Sequence, residues 1–336
     1  MPIVSLNGSA TFECATNDTL LRAGLRAGLA IPYECNVGSC GTCKVELIGG
    51  QVESNWAEAP GLSARDQSKN RVLACQSRPL ADCSIKARLQ DSCRPVHLPR
   101  RFRADLLGVR DLTHDIREFR FRSATAPDFE PGQYALLELP GVVGVRAYSM
   151  SNLSNAAGEW HFLIKRVPNG AGSGVLFDRV EIGASIEIDG PYGMAYLRRD
   201  SPRDLICIAG GSGLSPMLSI ARGMAAEPNL AKRLLHFFYG GRGPADICGE
   251  DMLATLPGYG ERVHFNPVIS VPLLDVGKKW SGAVGLVHEH VLATFGDRLV
   301  AFEYYFAGPP PMTQAVQAML VKNKVPFEQL HYDSFY

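Results

Sequence analysis

The chain lacks an excess of either charge: its 336 residues hold 34 Lys and Arg against 34 Asp and Glu. With no global field, attraction to nucleic acid or to an anionic membrane surface is excluded as an organising principle. No run approaches the roughly eighteen apolar residues that a membrane span needs. The opening "MPIVSLNGSA" shows no basic stretch leading into an apolar one, as a secretory signal would. These absences predict a cytoplasmic protein whose partners are neither nucleic acid nor membrane. Also missing are disordered stretches, a Ser-His-Asp arrangement, paired carboxylates and a G-x-G-x-x-G turn, so hydrolytic chemistry loses its usual signatures.

What the sequence does hold is length for two or three domains and nine cysteines. In a reducing compartment these do not build a disulfide framework. Cys14, Cys83, Cys93, Cys207 and Cys248 stand alone and read as small core hydrophobes. The other four do not. In "PYECNVGSCGTCKVEL", Cys35, Cys40 and Cys43 fall at spacings of five and three in a loop of small residues, and Cys75 follows in "RVLACQSRPL". C-x4-C-x2-C with a distant fourth Cys is ligand spacing for a [2Fe-2S] cluster. Soft thiolates suit iron, and Gly38 and Gly41 let the loop aim backbone N–H groups at sulfur. Zinc and a chance arrangement are the rivals; zinc favours paired C-x2-C knuckles, and one such pair exists.

At this loop the sequence resembles plant-type ferredoxins, over residues 1–90. The resemblance implies a β-grasp domain with Cys35, Cys40, Cys43 and Cys75 as iron ligands. Within it, "TLLRAGLRAG" predicts a helix capped by Asn17 or Asp18. Photosynthetic ferredoxins are strongly acidic, whereas this segment balances nine basic against eight acidic residues, so docking there relies on a local patch.

Residues 91–101 read as a polar linker with two prolines. From 102 to 201, period-two runs such as "IREFRFRSA" and "EWHFLIKRV" predict a small antiparallel barrel. Arg146, Tyr148 and Ser149 in "RAYSMSN" offer a forked cation, a flat ring and a hydroxyl. "NGAGSGVLFDRV" predicts a helix opening near Gly174 with Ser173 as cap, presenting free amides to a pyrophosphate. From 202 to 336 the period changes: "DLICIAGGSGLSPMLSIARGMA" is strand, turn and helix, the opening of a doubly wound parallel sheet. Further helices are expected near 217–226 and 312–322.

The last two segments resemble the ferredoxin-NADP reductase superfamily. That resemblance implies FAD held by Arg146, Ala147, Tyr148, Ser149, Lys165, Ala171, Gly172 and Ser173, with Tyr148 stacking on the ring, Ser149 near its N5, and a "GPYG" strand end at 190–193. It implies a nicotinamide nucleotide on Gly211, Ser212 and Gly213, with Pro216 starting the helix, and on Tyr239, Arg242, Gly308, Pro309 and Met312. Ala307 stands where relatives often carry Cys. In "HYDSFY", Phe335 and Asp333 match a terminal aromatic and a carboxylate that join Ser149 at the reacting centre. Arg242, with no acidic residue directly after its strand, tilts the choice toward NADPH over NADH.

Ferredoxin, flavin barrel and nucleotide domain in that order resemble the reductase components of multicomponent aromatic-ring dioxygenases, such as those serving benzoate, naphthalene and terephthalate, the last in particular. The resemblance implies electrons passing from NAD(P)H through FAD and [2Fe-2S] to a Rieske-type terminal oxygenase that docks near the ferredoxin domain; a monomer is the default expectation, since no residue pattern sets the oligomeric state. The reductase of a diiron phenol or toluene monooxygenase, an anabolic deoxysugar-type reductase and a redox sensor share these modules.

Overall fold

Thr19, extended at φ −104°, accepts the Arg22 amide on its side chain and starts helix α1 (Leu20–Arg26). The cap therefore falls one or two residues after the expected Asn17 or Asp18; Asp18 instead accepts the Thr19 amide at 2.8 Å. Only the residue that directly precedes the helical backbone can set its oxygen over the first-turn amides. Leu20, Leu21 and Leu25 are fully buried. The surrounding strands are β1 (Ile3–Leu6), β2 (Ala10–Glu13), β3 (Lys44–Gly49), β4 (Val52–Ser54), β5 (Arg71–Leu73), β6 (Ser77–Pro79) and β7 (Cys83–Lys86), with a short α2 (Ala64–Gln67). Five of them form a sheet ordered β2-β1-β7-β3-β5, in which β1 and β7 run parallel. This is the expected β-grasp.

The next strands are β8 (Arg100–Asp111), β9 (Ile116–Ser123), β10 (Tyr134–Glu138), β11 (Val145–Ser149), β12 (Glu159–Lys165) and, after helix α3 (Ala171–Asp178), β13 (Ser185–Tyr192). They share one sheet in the order β11-β10-β13-β8-β9-β12. An antiparallel bridge from Met150 to Phe162 joins its two ends, which closes the sheet into a barrel.

The last segment alternates strand and helix: β14 (Asp204–Gly210), α4 (Leu214–Ala226), β15 (Leu235–Gly241), α5 (Glu250–Leu253), β16 (Val263–Ile269), β17 (Ala283–Val284), α6 (Val287–Phe295), β18 (Phe302–Gly308), α7 (Pro310–Lys322) and β19 (Leu330–Ser334). The sheet order is β17-β16-β15-β14-β18-β19, parallel throughout. Alternate residues of β14 divide between its faces. Leu205, Cys207 and Ala209 join a core with α4 and α5, and Ile206 and Ile208 join one with α6 and α7. Helices on both faces explain why "LICIAG" is apolar without alternation.

The computed structural model describes residues 1–272, 274 and 279–335. They fall into two compact units, Met1–Phe102 with Ala135–Ala147 and Glu187–Met194, and Arg103–Tyr134 with Tyr148–Ile186 and Ala195–Tyr336. Two more helix starts differ from the sequence reading. Helix α3 opens at Ala171 with Gly170 as cap, so Ser173 lies inside its first turn. Helix α4 opens at Leu214, making Pro216 its third residue, still within the turn that has no intrahelical N–H bond to lose.

Gly213 has ordinary helical angles, φ −58°, yet a Cβ there would stand 2.0 Å from the Ala307 carbonyl oxygen. Gly213→Ala is expected to destabilise the protein by about 2–3 kcal/mol, the scale of overpacking against backbone. Gly24→Ala would press only on the tip of Ile31, at 2.5 Å, and helix propensity returns about 1 kcal/mol, so it should be near neutral. Urea unfolding of the two variants makes the comparison.

Asp66 supplies a second expectation. Ser63 first, then Lys44 and Arg71, hold its carboxyl far below the ordinary carboxylate range. A depressed folded value means the stabilisation is present above the unfolded pKa of about 3.9 and is lost as pH falls below it. Asp66→Asn should lower the melting temperature at pH 7, and the difference should shrink progressively as pH falls below about 4, measured by thermal scans across that range.

Candidate functional site

The loop between α1 and β3 is drawn tight by residues in left-handed conformations: Asn36 at φ 55°, Gly38 at 95° and Gly41 at 77°. Gly41 lies so close to the Gly61 carbonyl that a Cβ would meet it at 2.6 Å. The resulting curl turns amides onto sulfur. Cys40 N–H donates to Cys35 Sγ at 3.4 Å and Thr42 N–H to Cys40 Sγ at 3.5 Å. Cys75, just past β5, is brought in because Ala74 N–H donates to the Cys43 carbonyl at 3.0 Å.

The four thiols stand in two pairs. The largest influence on the Cys35 thiol is Cys40, and on the Cys43 thiol it is Cys75. Donation from Cys40 pulls Cys35 down to about 6, and donation from Cys43 lowers Cys75. A single tetrahedral zinc would set all its sulfurs about 3.8 Å apart, from Zn–S bonds of 2.3 Å. Among the described residues the one group of three metal-capable side chains within 4.8 Å is His114, Asp115 and Asp246, and no three of the cysteines meet that limit. Two pairs suit two irons better than one ion.

Two neighbours went unnoticed in the sequence. Arg22, 6% exposed, donates from Nε to Asn36 Oδ1 at 3.3 Å and from a terminal nitrogen to the Asn36 carbonyl at 3.4 Å, and its charge acts on Cys75. Asn36 is buried, and its Nδ2 finds no acceptor, a donor beside Cys35 that a bridging sulfide would satisfy. The available signal was an arginine set among the apolar residues of "TLLRAGL".

The sequence-chosen barrel residues are distributed as follows. On β11, Arg146 turns back onto the carbonyls of Val143 and Val145, at 3.2 and 3.0 Å; Ala147 and Tyr148 follow it, and Ser149 is buried. Ser173 Oγ accepts the Val167 amide at 3.0 Å and so closes the loop that leads into Ala171 and Gly172, the opening residues of α3. Lys165 bonds Asp115 at 2.9 Å, and its Cδ lies 3.5 Å from where a Gly211 Cβ would be. Its side chain therefore lies at the glycine turn after β14.

Helix α4 carries residues that sequence reasoning missed. Ser215 Oγ donates to the Ser149 carbonyl at 2.7 Å and accepts the Leu163 amide at 3.1 Å. Ser219 Oγ donates to the Asn152 carbonyl at 2.8 Å, and Arg222 to that of Ser151 at 2.7 Å. Positions four and three apart share one helix face, so this stripe fastens barrel backbone to α4. Polar residues at helical spacing on an otherwise buried helix were the readable sign.

The nucleotide-side residues converge where β14 and β18 end. Gly211 has φ 56° and Gly308 φ 154°, and Ser212 lies between Gly211 and Gly213 in the turn. A Cβ on Gly210 would meet Met312 Sδ at 2.6 Å, which brings the turn against "GPPPM". Pro309 caps α7. Asp333 pairs in register with Ala307, the Phe335 amide donates to the Gly308 carbonyl at 3.0 Å, and the Phe335 ring packs on the core that holds Ala307. Tyr239 is buried, and its hydroxyl donates to the Gly211 carbonyl at 3.1 Å; burial raises its pKa well above normal. It supports the turn from beneath. Asp246, four residues past Arg242, folds back to accept the amides of Arg242 and Gly243 at 2.9 and 3.0 Å and stands 3.9 Å from the exposed guanidinium.

Comparison with known proteins agrees with this layout. The family "2Fe-2S iron-sulfur cluster binding domain" matches residues 4–80, "Oxidoreductase FAD-binding domain" 103–196 and "Oxidoreductase NAD-binding domain" 207–318. The chain is 40% identical to the ferredoxin–NAD(P)(+) reductase CarAd of Metapseudomonas resinovorans, over 99% of each chain. It is 41% identical to the ferredoxin–NAD(+) reductase component of the alkene monooxygenase system of Xanthobacter autotrophicus, over 98% of this chain and 99% of the other. The solved ferredoxin reductase in carbazole 1,9a-dioxygenase superposes with a TM-score of 0.92 at 37% identity, covering 100% and 98% of the two chains. The chain belongs to the family of NAD(P)H-dependent ferredoxin reductases, oxidoreductases that join a 2Fe-2S domain to FAD- and NAD-binding domains.

Proposed function

We propose that this chain carries electrons from NAD(P)H to the terminal oxygenase of a multicomponent aromatic-ring dioxygenase, a Rieske-type protein that docks near the β-grasp domain. The observation that carries the reading is the set of four thiols gathered at one loop, Cys43 and Cys75 buried and Cys35 and Cys40 half-buried, on one chain with flavin- and nucleotide-type domains. Relatives serving carbazole and anthranilate dioxygenases support the acceptor class. A diiron or other monooxygenase is the second reading, favoured by the relatives that serve alkene and phenol oxidation. Among the described residues no helix is long and apolar enough to cross a membrane. All nine cysteines are free thiols, which supports a reducing, cytoplasmic setting.

On this reading Cys35 and Cys40 would hold one iron and Cys43 and Cys75 the other. Arg146, Ala147, Tyr148, Ser149 and the opening of α3 hold FAD, and Gly211 to Gly213, Gly308, Pro309 and Met312 hold the nicotinamide nucleotide. When bound, the flavin exchanges a hydride for single electrons and the cluster carries them one at a time. The protein's part is placement. Arg146 would pair with a phosphate of the flavin nucleotide, a charge-assisted pairing. The Ser215 bond holds the Ser149 backbone, so that its hydroxyl would be offered to the flavin from a fixed position. Tyr239 fixes the Gly211 carbonyl beneath the nucleotide turn. Phe335 would lie against the flavin and Asp333 would orient the nicotinamide ring.

Arg242 favours NADPH by pairing with a 2'-phosphate, while the neighbouring Asp246 carboxylate repels the same group and narrows the preference. Arg242→Ala is expected to raise the KM for NADPH about fivefold, an exposed ion pair of about 1 kcal/mol, and to spare NADH. Asp246→Asn should shift KM the opposite way, since the amide oxygen still caps the loop. Equal changes for both nucleotides would remove Arg242 from the choice.

Cys40→Ser should abolish the cluster's visible absorption and leave NAD(P)H-driven ferricyanide reduction intact. Simultaneous loss of both would contradict independent centres. Reductive titration of the intact protein should count three electrons per chain, two on flavin and one on iron.

A further inference from the structure

Helix α1 faces two sites at once. Arg22 braces the thiol loop through Asn36. One turn on, Arg26 reaches the end of β13, which crosses from the second compact unit into the first at Glu187. Its guanidinium donates to Asp189 Oδ2 at 2.9 Å and to the Tyr192 hydroxyl at 3.1 Å, and Tyr192 donates to Asp189 Oδ1 at 2.9 Å. Asp18 pairs with Arg26 at 3.2 Å and with Arg101 at 3.6 Å, and Arg101 pairs with Glu187 at 3.1 Å. Asp189 and Tyr192 are almost wholly buried. A second link runs beside the first. Tyr33, two residues before Cys35, sets its ring edge-on to Tyr192 with centroids 6.2 Å apart, and its hydroxyl accepts the Gly193 amide at 3.0 Å.

Burial raises the Asp189 carboxyl above its ordinary value despite the arginines around it. An apolar seam of similar volume would hold helix to strand at lower cost, because desolvating charges offsets much of their attraction. What hydrogen-bonded charges add is a single register. Gly190–Gly193 is the strand end by which the barrel resembles the family's flavin domain, and Cys35 would be an iron ligand on the reading above.

We propose that Arg26, Asp189, Tyr192 and Tyr33 are positioning residues for internal electron transfer: the charge network fixes the thiol loop against the end of β13, and the Tyr33–Gly193 hydrogen bond is the bonded step between them. One electron crosses per event. The donor loses what the cluster gains, and no covalent bond forms or breaks. The proposal rests on the two-centre reading above.

The test uses full-length holoprotein mixed with NADH in a stopped-flow instrument, following flavin bleaching and cluster bleaching separately, together with limited trypsin digestion. In Arg26→Met, flavin content, the cluster spectrum and the flavin bleaching rate are expected to match the parent. Cluster bleaching should slow about tenfold or more, as small misplacements of reacting partners do. Trypsin should cut within 88–101 faster, because that segment is strapped to the same unit by Arg94 on the Gly28 carbonyl at 2.8 Å. Arg26→Lys should restore most of both properties. Tyr33→Phe should slow cluster bleaching without changing digestion. Asp189→Asn serves in place of Arg26→Met if that variant does not fold. Unchanged cluster bleaching in the Arg26 or Asp189 variant, equal slowing of flavin and cluster, or no effect of Tyr33→Phe would overturn the proposal. A parent protein without cluster absorption would overturn the two-centre reading instead.

Discussion

Four thiolates gathered at one loop are tolerable only if something positive takes their charge, since anions drawn out of water without a partner are driven back to neutral thiols. Cys43 and Cys75 are almost inaccessible, and the surrounding chain is arranged for that constraint. Asn36, Gly38 and Gly41 take up left-handed angles so that amides turn inward. Arg22 is buried beside them although arginine is rarely found inside. The orphan amide of Asn36 has no use in the protein alone. Remove the need for a metal–sulfur group and these features become a collection of costs.

The second unit solves a different problem, the registration of one domain's backbone against another's. The apolar cluster that runs from Ile116 and Leu163 through Leu197 into Leu218 and Ile220 supplies the bulk of the burial. Burial alone is non-directional. Direction comes from Ser215, Ser219 and Arg222, whose hydrogen bonds all end on barrel backbone or take an amide from it. Gly213 lets the turn after β14 touch the end of β18. A redox partner whose rate depends on approach distance gains from such direction.

Charge is used in the same local way. A chain with no net charge nevertheless buries Asp189 against Arg26 and surrounds the pair with Asp18 and Arg101. Such networks specify one arrangement at some cost in stability.

Much of this was legible in the residues. Thiol spacing, period-two runs and the shift to "DLICIAGGSGLSP" identified the β-grasp, the barrel and the parallel sheet in order, because ligand spacing and burial period are local properties. Helix starts were displaced at Thr19, Ala171 and Leu214, since capping depends on which oxygen lands over an amide, and a preceding Asp or a following Ser looks equally able in sequence. Arg22, Asp246 and the Ser215–Ser219–Arg222 stripe were not found. Each acts on backbone far away in sequence or around a turn, and their types suit a solvated surface equally well. The sequence by itself determined which chemical groups this protein has and the period in which it buries them. Only the tertiary structure decided that the thiols stand in two pairs, that Lys165 lies at the glycine turn after β14, and that Arg26 meets Asp189, because those distances arise from chain closure between segments that share no local pattern.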